Sequence, residues 1–212
     1  MQSKDINDKN KLYIMGCGGH ARSILNVVKT NAEDVTVVLV DENALENETI
    51  MECCVVSDHK FQKGDKVIVA IGNNVKRRTV FDDLICKEEI DIATIVSNTA
   101  IIGTGVKLGK GCFISANAYL GPQVEIWNNT IINTGSIIEH ECRVGNHVHI
   151  APNVTVCGRT IIGNDVFCGA GSIIVDGISI CDNVTVGAGA VVVDDLVEPG
   201  TYVGVPARKV RR

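Results

Sequence analysis

From Val96 to Val192 one pattern repeats every six residues without a slip. The first place of each hexad runs from Val96 and Ile102 through Ile126 and Ile150 to Val192. Sixteen of these seventeen residues are aliphatic, and the other, Cys168, packs as a small hydrophobe. The fifth place holds small or β-branched residues such as Ala100, Val124, Ser136 and Val154. The second is often glycine, as at Gly103, Gly121, Gly145 and Gly163. A strand alternates every second residue and a helix recurs about every 3.6, so a period of six is neither alone. It suits a short strand plus a corner. Three such sides close a triangular coil, and coils stack about 4.8 Å apart through strand-type hydrogen bonds. In this reading the first place fills the interior, the fifth lies where the interior narrows, and glycine relaxes the corners. The pattern specifies a parallel β-helix built of hexapeptide repeats.

Composition narrows the function classes. Of 212 residues, 45% are hydrophobic but only 4% aromatic, which implies an aliphatic core. The net charge of −5 argues against a nucleic-acid partner, because phosphate binding needs a basic surface. The basic C-terminal end, Arg208, Lys209, Arg211 and Arg212, suits either phosphate contacts or a solubilising tail. No run of apolar residues is long enough to span a membrane. Residues 1–10 are polar and read as a flexible lead-in without a secretory signal. Nine cysteines without a CxxC spacing read as reduced thiols of a cytoplasmic protein, with no zinc site and no other metal expected.

Residues 11–94 differ in kind from the repeats. Lys11–Met15 reads as a buried strand, followed by Gly16-Cys17-Gly18-Gly19-His20 and a helical stretch over 21–28. A second strand over 35–40 ends on Asp41, a third over 67–71 leads into Gly72-Asn73-Asn74, and residues 75–88 read as a helix. This order implies a small parallel α/β sheet, a Rossmann-like domain ahead of the β-helix at 95–212. A glycine-rich turn between strand and helix lets backbone N–H groups approach a phosphate, and Asp41 is placed to accept from a ribose or base. The turn is not GxGxxG, since Ala21 stands at the third glycine position. A purely structural tight turn fits the same residues.

Within the repeats one window carries chemistry. Three of the five histidines lie within ten residues, and acids flank the first: Glu139-His140-Glu141. His140 and Glu141 fall at the third and fourth places of their hexad, away from the interior. A histidine can take a proton near neutral pH, and an adjacent carboxylate can hold Nδ1–H and leave Nε2 free as a base. No serine or cysteine suggests a covalent intermediate, so direct transfer is the simpler chemistry. His147 and Glu139 read as solvated corner residues. Downstream, small residues including Gly158 leave an outer face open, and the Gly158 amide is placed to stabilise an oxyanion.

IIGTGV, KLGKGC and IIGNDVFCGAGS resemble the hexapeptide-repeat acyltransferases, whose β-helix is left-handed. GCGGHAR, VDE, IGNN and the IEHE of the repeats are similar to one subfamily of these enzymes. It holds bacterial sugar-nucleotide N-acetyltransferases of the bacillosamine-pathway type and sialic-acid O-acetyltransferases. The resemblance implies acetyl-CoA as co-substrate, a homotrimer, and a nucleotide-linked amino sugar held by Gly18, His20, Asp41, Gly72 and Asn73. It further implies His140 as base, Glu141 as its orienting acid, and Asn133 near the acceptor amine. His149 would meet the acetyl group or thioester, Ala170 and Ala188 the pantetheine arm, and Arg208 the phosphates of CoA. The residue after Asp41 is Glu42, where a basic residue suits a diphosphate better. That departure gives weight to O-acetylation of sialic acid or another free sugar. A non-catalytic trimeric scaffold is the alternative of another class.

Overall fold

The computed structural model describes residues 11–32, 34–87 and 89–210. The expected lead-in over 1–10 and the last two arginines lie outside the described residues. The first domain is built of β1 (Lys11–Met15), α1 (Gly19–Thr30), β2 (Thr36–Val40), β3 (Thr49–Ile50), β4 (Cys53–Val56), β5 (Lys66–Val69), α2 (Asn74–Ile85) and β6 (Asp91–Ile92). Its sheet has the order β3-β4-β2-β1-β5-β6. β1 is central and pairs in parallel with β2 and β5. Its alternating side chains divide between two layers: Leu12 and Ile14 join the layer that holds α1, and Tyr13 joins Phe81 and Leu84 of α2. The hairpin β3–β4 was not expected from the sequence, because its strands are too short to show a period.

The remainder is a three-sided parallel β-helix. The first face contains Ile95–Val96, Phe113–Ile114, Ile131–Ile132, His149–Ile150 and Phe167–Cys168, the second Ile101–Ile102 through Ile137–Ile138 to Val191–Val192, and the third Lys107–Leu108 to Ser179–Ile180. Residues eighteen apart pair directly, as Ile138 does with Val156. The first-place residues from Ile114 onward are buried. The three before it lie in the first coil, at the open end of the stack, where Val96 and Leu108 are half-buried and Ile102 is 41% exposed. Two details correct the sequence reading. The left-handed corner conformation falls at the fourth place, for example Glu141 at φ 61° and His147 at φ 59°, not at the second-place glycines. Those glycines serve close approach instead: a Cβ at Gly121 would lie 2.7 Å from the backbone N of His140, and one at Gly145 2.7 Å from Gly163.

The outward residues give the three faces different surroundings. On the first face Phe113 and Ile131 are buried under the N-terminal domain and share its core. On the second face the outward row is Ile101, Tyr119, Ile137, Thr155, Ile173 and Val191, with Ile101, Ile137 and Ile173 exposed. On the third face the row opens with Lys107, Glu125 and Arg143. The domains are tied at both helices. Asn31 at the end of α1 donates to the Val96 carbonyl (2.8 Å) and accepts from the Asn98 amide (2.9 Å). From α2, Asn74 donates to the Val166 carbonyl (3.1 Å) and Arg78 pairs with Asp165 (2.7 Å). His147, expected to be solvated, is buried against Phe81 and bonded to Asn129 at 2.8 Å, since α2 covers its corner.

Two contrasts follow from this packing. Ile138→Ala empties a fully buried site and is expected to cost about 2–5 kcal/mol. Ile161→Ala, on an outward position 48% exposed, is expected to stay within about 0.5 kcal/mol; urea unfolding of both variants checks the difference. Burial, then the Arg77 charge, lowers the His149 pKa from 6.5 to about 4. Above pH 6.5 the ring is neutral whether folded or unfolded, and the fold keeps its full stability. As pH falls towards 4 the unfolded chain binds a proton that the folded chain refuses, so stability is lost, by on the order of 3 kcal/mol from this group. The unfolding midpoint is expected to fall over that window, and less steeply in His149→Gln.

Candidate active site

At the C-terminal ends of β1, β2 and β5 a cleft of about 570 Å³ is lined by Gly16, Gly18, Gly19, His20, Asp41, Glu42, Gly72 and Lys76, among others. Gly18 caps α1 with extended backbone, and a Cβ there or at Gly19 would meet nothing within 4 Å, so the helix start is open to an approaching group. Asp41 does not stand free. Its Oδ2 accepts the Cys17 amide at 3.1 Å and its Oδ1 the Asn43 amide at 3.0 Å. These bonds, led by the one from Asn43, hold its carboxyl below the usual range and brace the turn. The Cys17 thiol is pushed up to about 11 by burial and by Asp41, so it is not a ready nucleophile. Asn73 caps α2 by accepting the Lys76 amide at 3.0 Å, and Lys76 adds a cation to the cleft lining. His20 lies edge-on to Phe113 with centroids 5.2 Å apart, and burial lowers its pKa to about 3.

The His140 corner lies between the second and third faces. His140 Nδ1 is 3.1 Å from Glu141 Oε2, so Nδ1–H donates to the carboxylate and Nε2 keeps its lone pair. Glu141 reaches this position from the left-handed place of the corner. The ring lies across Gly158 of the next coil, where a Cβ would fall 2.6 Å from His140 Nε2. Gly158 therefore seats the His140 ring, and among the described residues its amide has no acceptor within the chain. Farther down the same edge, Arg159 pairs with Asp176, and Arg208 lies 3.5 Å from Asp194 while donating to the Ala207 carbonyl (2.9 Å).

The other predicted residues lie on a different edge. Asn133, Ala170 and Ala188 fall at corners between the first and second faces, where both alanines are exposed. His149, on the first face, is turned inward to the domain junction. Its Nδ1 lies 3.2 Å from the Gly72 carbonyl and its Nε2 3.4 Å from Asn133 Nδ2. Within one chain the cleft, Asn133 and His149 thus form one group, and His140, Glu141 and Gly158 form another across the second face. Sequence reading missed Arg77, whose side chain is 1% exposed and bonds to the Ile71 and Gly72 carbonyls at 3.1 and 3.2 Å. Its signal was present: Arg77 shares a helical face with Phe81 and Leu84, at the spacing of buried positions.

Comparison with known proteins agrees with the two-part fold. The PglD N-terminal domain family matches residues 11–84, and the hexapeptide repeat of succinyl-transferase matches residues 97–122 and 159–193. No curated protein sequence matches the chain. Among solved structures, the acetyltransferase domain of PglB from Neisseria gonorrhoeae is 24% identical over 95% of this chain and 100% of its own, with a TM-score of 0.89. PerB from Caulobacter crescentus, in complex with CoA and GDP-perosamine, is 27% identical over 95% of this chain and 98% of its own, with a TM-score of 0.83. WeeI from Acinetobacter baumannii is 20% identical over 94% and 99%, with a TM-score of 0.64. The chain thus pairs a segment that matches the PglD N-terminal domain model with a β-helix whose repeats match a hexapeptide-repeat model.

Proposed function

We propose that this chain is an acetyl-CoA-dependent N-acetyltransferase acting on the amino group of a nucleotide-linked amino sugar. The observation that carries the reading is the oriented base: His140 is held through Nδ1 by Glu141 and seated on Gly158 at an open edge. The PerB structure, bound to CoA and GDP-perosamine, adds support for both ligand classes. The amine attacks the thioester carbonyl and loses its proton to His140 Nε2. Glu141 stabilises the imidazolium, and the Gly158 amide faces the developing oxyanion. Collapse of the tetrahedral intermediate forms the amide and expels CoA thiolate, which takes the proton back from His140. In the cleft, the α1 N-terminus and Lys76 serve the diphosphate and offset Glu42.

The apolar second face supports a homotrimer. If it turns towards a threefold axis, the His140 edge of one chain meets the Asn133 edge of the next. The pantetheine arm then lies between Gly158 on one side and Ala170 and Ala188 on the other, with Arg208 near the CoA phosphates. His149 lies beneath Asn133 in this arrangement and supports the acyl group through it. Nine free thiols suit a cytoplasmic setting.

The test is thiol release from acetyl-CoA with UDP-, dTDP- and GDP-linked 4-amino sugars and free sialic acid as acceptors. Release with a nucleotide-linked amine is expected, and which one responds names the base. His140→Ala is expected to lower it between about 100- and 10,000-fold. Release with sialic acid alone moves the reaction to O-acetylation. Silence throughout, or an unchanged rate in His140→Ala, overturns the reading and leaves a scaffold.

A further inference from the structure

Arg77 is a cation held at 1% exposure, and its acceptors are carbonyls and one side-chain amide. Nε donates to the Asn129 carbonyl at 3.1 Å. Nη1 donates to Ile71 and Gly72, and Nη2 to Asn74 Oδ1 (2.9 Å) and the His147 carbonyl (2.8 Å). An apolar side chain would join the domains at lower desolvation cost, so a buried charge here asks for another role. The Gly72 carbonyl supplies one, since it accepts from both Arg77 Nη1 and His149 Nδ1 at 3.2 Å each. A carbonyl only accepts, so His149 carries its proton on Nδ1 and offers a lone pair at Nε2. Asn133 Oδ1 is taken by the Thr134 amide at 2.9 Å, which turns Asn133 Nδ2 towards that lone pair, 3.4 Å away. The remaining hydrogen on Nδ2 is left for the edge.

We propose that Arg77 is the positioning residue of the transfer site. By holding the Gly72 carbonyl it fixes the tautomer of His149, and through it the Asn133 amide that faces the acceptor. One side chain thereby sets the nucleotide-binding turn and the reaction edge in a common register. Burial keeps His149 neutral, and the Arg77 charge adds to it. The role in transfer rests on the acetyltransferase reading, whereas the tautomer does not.

The test uses the full chain labelled with ¹⁵N-histidine, the His149 signals being assigned with His149→Gln. In the unaltered protein His149 is expected to show Nδ1–H alone and no titration across roughly pH 5.5–8. In Arg77→Met the ring is expected to show both tautomers. With the responding acceptor, kcat is then expected to fall roughly 100-fold at little changed KM for acetyl-CoA, and Arg77→Lys to recover part of the loss. An unaltered protein whose His149 carries Nε2–H, or titrates near pH 6.5, overturns the proposal whether or not Arg77→Met folds. A folded Arg77→Met with an unchanged His149 tautomer does the same and reduces Arg77 to domain contact. Because this readout needs no turnover, its failure is distinct from failure of the acetyltransferase reading.

Discussion

The coil-to-coil hydrogen-bond ladder is the constraint from which the rest of the structure follows. Each short strand bonds to the strand one coil away, as when the Ile137 amide donates to the Val154 carbonyl at 2.8 Å. Residues eighteen apart are therefore stacked, and distance along the chain becomes position on an edge. His140, Gly158 and Asp176 form one such column, and the Arg159 amide bonds back to the His140 carbonyl at 2.9 Å. A rigid column suits the proposed base, which must keep its direction. The ring orientation is set by the neighbouring carboxylate and by the absence of a side chain below it, not by a mobile loop.

Three faces built from the same period meet three different surroundings. The first, with Phe113 and Ile131, is the floor on which α1 docks, and α2 covers the corner beside it at His147. The second leaves isoleucines in solvent, and the third is crossed by charges such as the Lys107–Glu125 pair at 2.7 Å. In the proposed homotrimer, an apolar face flanked by two chemically loaded edges divides the candidate site between copies of the chain. This accounts for the distance between the His140 column and the group formed by the cleft, Asn133 and His149.

Much of this was legible in the residues because a solenoid repeats its rule. Interior positions follow from the hexad, and His140 with Glu141 stands out against corners that need no ionisable pair. The reading failed where a rule is not periodic. Ile102 lacks a coil beyond it, and the second-place glycines are set by contact between coils rather than by backbone angle. The side chains of Asp41 and Asn73 also brace a turn and cap a helix, which only the folded backbone reveals. Arg77 and His147 were hidden for a related reason, since the junction that buries them pairs residues far apart in sequence.

Subunit complementation tests most directly whether the proposed site is completed by two chains. His140→Ala removes the base and leaves the cleft intact. Gly18→Asp puts a carboxylate at the helix start, where a Cβ meets nothing within 4 Å, so it repels a diphosphate without disturbing the fold. Each variant alone is expected to be inactive. Co-expressed in equal amounts and purified as mixed oligomers, they are expected to recover about a quarter of the unaltered activity, as random pairing of one edge with the next gives. Mixed oligomers as silent as either parent would place the whole site within one chain and contradict the account.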